Sequence, residues 1–111
     1  MKTRVLLVDD DPELLDITRI LMQQSESELE LVTLESTKDV LDKIEREEFD
    51  IIISDYLMPD STGLDLLEVL REEKNEVSFI IWTGHSSEEI AIRGLNLGVD
   101  YYILKGSMTV A

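Results

Sequence analysis

The chain has no cysteine among its 111 residues. That absence excludes a disulfide framework, a thiolate metal site and a cysteine nucleophile. No apolar run approaches the roughly 20 residues that a membrane helix needs. Met1 to Arg4 lead straight into a four-residue apolar stretch, too short for a signal-peptide core. These absences predict a soluble cytoplasmic protein. Basic residues are scarce, 10 Lys and Arg against 25 Asp and Glu, for a net charge of −15. Such a surface repels phosphate backbones and anionic lipid, which argues against direct nucleic-acid or membrane-surface binding. Cations, basic patches and other proteins are the partners it favours. There is also no glycine loop of the kind that cradles a nucleotide phosphate, so a kinase activity of its own is not supported. What is present is a 43% hydrophobic content, enough for the packed core of one domain over residues 1–111 despite 32% charge.

Short β-like runs alternate with longer amphipathic stretches. Val5-Leu6-Leu7-Val8 is continuously apolar, as in a strand buried on both faces. Asp11, Pro12 and Glu13 then provide an N-cap, a first helical residue and a dipole partner, and Leu14, Ile17 and Leu21 form an apolar stripe. Leu29 to Leu34 is a more polar strand, expected at an edge. Ser36 and Asp39 resemble a capping box for a second helix with Val40, Leu41 and Ile44 inward. Ile51-Ile52-Ile53 is β-branched throughout and predicts a central strand. A loop from Asp55 to Gly63 precedes a third helix carrying Leu64, Leu67 and Leu70. Phe79 to Trp82 is a fourth strand. Ser86 and Glu89 are read as the cap of a fourth helix with Ile90 and Leu97 inward, ending at Gly98. Tyr101 to Leu104 is a fifth strand. Strands alternating with helices in this way predict a doubly wound α/β fold, a parallel sheet with helices on both faces.

In open α/β sheets ligands bind beyond the carboxyl ends of the strands. Those ends carry Asp9, Asp10 and Asp11, then Asp55, then Thr83 and Gly84, then Lys105. Crowded carboxylates without a cysteine favour a hard cation with oxygen ligands, and Mg2+ suits such a set best. Lys105 and the Thr83 hydroxyl could face an anion beside that cation, and a carboxylate is itself a competent phosphoryl acceptor.

The residues that carry these positions are Val-Asp-Asp at 8–10, Asp-Tyr-Leu-Met-Pro-Asp at 55–60, Thr-Gly at 83–84 and Asp-Tyr-Tyr-Ile-Leu-Lys at 100–105. In that order, each at a strand end, they resemble the receiver domain of two-component response regulators across nearly the whole chain. The resemblance implies a flavodoxin-like sheet of order 2-1-3-4-5. It implies that Asp55 accepts a phosphoryl group from a sensor histidine kinase or phosphotransfer protein. It implies Mg2+, or Mn2+ in its place, held by Asp10, by Asp9 largely through water, by Asp55 and by the backbone carbonyl of Leu57. Lys105 would pair with the phosphoryl oxygens, and Thr83 and Tyr102 would switch conformation. It further implies a downstream effector or output domain and a homodimer through the face of the fourth helix and fifth strand.

Blander roles stand beside these. Asp11 is read as a helix cap only, His85 as a surface residue at the pocket mouth, and Trp82 as core. Two rival functions remain. Asp9-x-Asp11 superficially fits the nucleophile motif of a haloacid-dehalogenase-type phosphohydrolase, although Pro12 and Glu13 stand where small or hydroxyl residues belong. The other is an inactive receiver-like interaction module. The chain also departs from the family pattern twice. Gly106 replaces the usual proline after the lysine, which predicts a trans Lys105–Gly106 bond, since a non-proline cis bond costs roughly 3 kcal/mol against about 1 for X–Pro. Only six residues follow Lys105, so the usual fifth helix is expected to be missing and apolar sheet surface left open.

Overall fold

The computed structural model describes residues 3–24, 28–84 and 87–104, with the backbone alone at 17 and 21–24. Its elements alternate as the periodicity predicts: β1 (Thr3–Val8), α1 (Pro12–Gln24), β2 (Leu29–Leu34), α2 (Thr37–Arg46), β3 (Ile51–Ser54), α3 (Gly63–Glu72), β4 (Ser78–Thr83), α4 (Glu88–Asn96) and β5 (Tyr101–Leu104). The five strands form one parallel sheet of order β2-β1-β3-β4-β5. β2 is therefore an edge strand, as its polarity predicts, and β1 and β3 are central.

Side chains alternate between the two faces of a strand, so register decides which residues share a layer. Leu6 pairs with Val32 and Ile52, Ile52 with Phe79, and Ile81 with Tyr102. These residues share the face on which α2, α3 and α4 pack. Leu6, Val8, Ile52, Phe79 and Ile81 form one buried cluster there with Val40 of α2 and Leu64, Leu67 and Leu70 of α3. Each fully buried side chain of this size contributes about 1.5–3 kcal/mol. The three-residue spacing of those leucines is what puts them on one stripe of α3.

The opposite face carries Val5, Leu7 and Thr33. Val5 and Leu7 are buried together with Leu15 of α1, and Arg19 of that helix donates to Thr33 Oγ1 at 2.6 Å. Further along this face Ile51, Ile53, Ile80, Trp82 and Ile103 are only half-buried, and Tyr101 is 67% exposed. Four helices are present among the described residues, and the open apolar surface lies where the sequence predicts it. Trp82 belongs to this half-covered layer rather than to the main core. The Lys105–Gly106 bond and His85, like the side chains of Ile17 and Leu21, lie outside the described residues.

Local chemistry fixes the element ends. Asp11 Oδ1 accepts from the backbone N–H of Glu13 and Leu14, capping α1. Ser36 caps α2 through the N–H of Asp39. The cap of α4 is Ser87, not Ser86: its extended backbone aims the hydroxyl at the N–H of Ile90, 3.2 Å away. α4 ends as predicted at Gly98, whose φ of 81° lets Gly98 N–H reach Leu95 O and Val99 N–H reach Gly94 O. The same ending is built at α3 on Lys74, at φ 62° without glycine's freedom. Asp50 and Asp100, each one residue before a strand, clamp the backbone of Arg4 and Phe79 on the neighbouring strand with paired bonds of 2.7–2.9 Å.

Candidate metal centre

β1 and β3 carry their pairing one step past the ladder. Val8 pairs with Ser54, and Asp55 N–H then donates to Val8 O at 2.9 Å. On the other side Asp9 N–H donates to Leu34 O at 3.1 Å. Asp9 and Asp55 are thus fixed by backbone bonds at adjoining strand ends, and Asp10 follows directly. Asp9, Asp10 and Asp55 each offer a carboxylate oxygen, and these oxygens lie within 4.8 Å of one another. Asp9 is 1% exposed, Asp55 is half-buried with Oδ1 shielded from solvent, and Asp10 is open to it. Asp9 Oδ1 also accepts from Asp11 N–H at 3.0 Å, which orients it. Asp11 itself faces the helix it caps and does not join the trio.

Two like charges at that separation repel by roughly 3–4 kcal/mol at an effective dielectric near 20. A divalent cation relieves this most directly. All three donors are hard carboxylate oxygens, a set that suits Mg2+ or Mn2+. The residues therefore fit such an ion.

The 56–63 loop, which follows Asp55 directly, is a strap folded back on itself. Gly63 N–H donates to Tyr56 O at 2.7 Å, Leu57 and Thr62 form an antiparallel bridge, and Met58 N–H donates to Ser61 O at 3.0 Å. The Met58 side chain is buried in the main core. Thr62 caps α3 through Asp65 N–H, a cap that the loop composition did not single out. Gly63 is here for a steric reason. A Cβ on it would collide with the backbone carbonyl oxygen of Asp55 and stand 3.0 Å from both Ile81 Cδ1 and Ser54 Oγ. In the sequence Gly63 is simply the end of a loop; the collision exists only once β3, β4 and α3 are assembled. Ser54, buried beneath, donates its hydroxyl to Asp55 O at 2.8 Å.

Thr83 is fully buried at the end of β4, paired with Leu104 of β5. Tyr102 pairs with Ile81 on the same face and packs, half-buried, against the main core. Tyr101 points the other way. Lys105 lies outside the described residues. Beyond the strap, Arg93 of α4 grips Asp65 and Glu68 of α3 at 2.7 and 2.8 Å, and Asp65 also accepts from Ser61 Oγ. The hydrogen bond from Arg93 holds the Asp65 carboxyl below the usual carboxylate range. No helix among the described residues is long and apolar enough to cross a membrane.

Comparison with known proteins agrees with this geometry. The family model described as the response regulator receiver domain matches residues 5–109. The regulatory protein VanR of Enterococcus faecium is 30% identical over 105 residues, which are 95% of this chain and 44% of that protein. The chain thus spans less than half the length of such relatives. Among solved structures, a CheY-like receiver domain protein from Methanospirillum hungatei superposes with a TM-score of 0.84 at 34% identity, covering 96% of this chain and 83% of the other. The non-phosphorylated HemR receiver domain from Leptospira biflexa gives 0.85 at 25% identity, covering 95% and 83%.

Proposed function

This chain belongs to the response regulator receiver domain family, and on that premise we propose that it is the phosphoacceptor switch of a two-component phosphorelay. The observation that carries the reading is the convergence of the Asp9, Asp10 and Asp55 carboxylates within 4.8 Å at the ends of β1 and β3. Asp55 is the acceptor: it is the one of the three that follows β3, half-buried and anchored by its own N–H to β1. A carboxylate oxygen of Asp55 attacks phosphorus, and the N–P bond of a phosphohistidine on a sensor kinase or phosphotransfer protein breaks. The electron pair returns to the imidazole and an acyl phosphate forms. Asp10, Asp9, Asp55 and the Leu57 carbonyl hold Mg2+ or Mn2+, which neutralises charge on the phosphoryl oxygens when bound. Lys105 pairs with those oxygens. The Thr83 hydroxyl turns towards them, and Tyr102, its neighbour on the same sheet face, follows, a population shift driven by new charge-assisted hydrogen bonds.

In this reading the domain promotes only its own phosphorylation and dephosphorylation, acts in the cytoplasm and reports to an effector or output domain. Ile92, Leu95 and Leu104 stay exposed on α4 and β5, which supports self-association through that face. Mg2+ titration followed by Trp82 fluorescence tests the pocket: binding is expected, and Asp10→Asn is expected to abolish it. Absence of binding in the wild-type protein would refute the reading. Steady phosphate release from an unrelated monoester would point to a phosphohydrolase instead.

A further inference from the structure

The Asp60 side chain sits at the tip of the 56–63 strap, yet its bonds belong to a different element. Oδ1 accepts from Thr37 N–H at 3.1 Å and Oδ2 from Lys38 N–H at 2.9 Å. These are the first two helical residues of α2, whose N–H groups have no partner inside the helix. Ser36 takes the third such N–H, that of Asp39. The start of α2 is therefore capped jointly, one bond from its own cap residue and two from a carboxylate 23 positions away in the chain. The helix dipole favours that negative charge. Burial pushes the Asp60 carboxyl up, but the N–H groups of Lys38 and Thr37, together with the Thr37 hydroxyl, outweigh it and hold the group below its ordinary range.

We propose that Asp60 is a positioning residue for the metal pocket, holding the Leu57 carbonyl in place by clamping the strap to the N-terminus of α2. The proposal rests on the reading of that carbonyl as a metal ligand. At its base the strap is closed by the Tyr56–Gly63 bond, one residue after Asp55, and next to it by the Leu57–Thr62 bridge. At its tip, the bonds of Asp60 to α2 fix its distance from the edge-strand side of the sheet. Leu57 is 43% exposed, so its side chain gives the carbonyl little packing support of its own. Removing the tip bonds frees the tip of the strap and leaves the Leu57 carbonyl held by the base bonds and the buried Met58 side chain alone.

Two substitutions remove the clamp from opposite sides. Asp60→Ala takes away the acceptor. Thr37→Pro takes away the N–H and the hydroxyl that Asp60 accepts from while leaving the strap's own residues unchanged, and proline is well tolerated at the first helical position. Ser36 before it is already extended, at φ −144° and ψ 155°, as a residue preceding proline requires. Mg2+ alone is the probe, read by Trp82 fluorescence well below each variant's melting temperature. Both variants are expected to bind Mg2+ about tenfold more weakly, at the lower end of what loss of outer-shell support costs a metal site. Asp60→Asn keeps one acceptor and is expected to fall between Asp60→Ala and the wild type. A merely structural cap would lower the melting temperature and leave the affinity of the folded protein unchanged; that result in either variant would overturn the proposal. Should Asp60→Ala fail to fold, Thr37→Pro decides. A wild-type protein that binds no Mg2+ would overturn the functional reading and this inference with it.

Discussion

Replacing Gly63 by alanine adds one methyl group where three elements meet. That methyl would strike the Asp55 carbonyl oxygen and crowd Ile81 Cδ1 and Ser54 Oγ at 3.0 Å. The first obstacle is backbone, held in turn by the Ser54 hydroxyl, so no side-chain rotation relieves it. Overpacking a dense core costs about 1–3 kcal/mol, and a backbone collision belongs at the upper end. Stiffening of the unfolded chain by alanine returns about 0.4–1 kcal/mol. The net loss is then about 2 kcal/mol, which lowers the melting temperature of a domain this size by roughly 8–12 °C. Gly84→Ala is the control. Nothing lies within 4 Å of a Cβ there, so its stability should stay within about 0.5 kcal/mol of wild type. Thermal denaturation by circular dichroism measures both. The displaced carbonyl also belongs to Asp55, so Gly63→Ala should slow phosphorylation even at temperatures where it is fully folded. Melting of Gly63→Ala at the wild-type temperature would refute the steric argument.

Lys74 holds a left-handed conformation that glycine adopts at no cost, so Lys74→Gly should raise stability by about 0.5–1 kcal/mol in urea denaturation, and a loss would contradict the assignment. Asp65 has a folded-state pKa below its unfolded value of 3.8, so its contribution is present above that value and lost as pH falls through the folded one. The stability difference between wild type and Asp65→Asn should therefore be flat at neutral pH and shrink in acid below about pH 4. With the Asp65 side chain 48% exposed, the gap should be on the order of 1 kcal/mol or less. A gap that persists unchanged into strong acid would contradict the pairing with Arg93.

How much of this could be read in advance depends on how local each determinant is. The alternation of apolar runs and amphipathic stretches placed every element, because a strand buried on both faces and a helix with one inward stripe leave distinct patterns in consecutive residues. Boundaries were harder where a polar residue is buried. Ser54 ends β3 in the core because its hydroxyl reaches the Asp55 carbonyl, and a reading based on apolar runs stops at Ile53. The α4 cap was displaced by one residue because Ser86 and Ser87 are adjacent, and Glu89 gave Ser86 the spacing of a capping box. Which serine caps depends on backbone direction, and Ser87 has the extended conformation that aims its hydroxyl inward. Asp9, Asp10 and Asp55 were legible as strand-end carboxylates, since a parallel sheet gathers all strand ends at one edge. The paired hydrogen bonds of Asp60 to α2 and the steric requirement at Gly63 were not, because each joins residues distant in sequence and leaves no local pattern.

The central claim is that Asp55 becomes covalently phosphorylated in a pocket completed by a divalent cation. Intact-mass spectrometry after incubation with acetyl phosphate and Mg2+ tests it most directly. A single phosphoryl adduct is predicted, lost when Mg2+ is chelated and absent from Asp55→Asn. No adduct on a protein that demonstrably binds Mg2+, or an adduct that persists in Asp55→Asn, would contradict it.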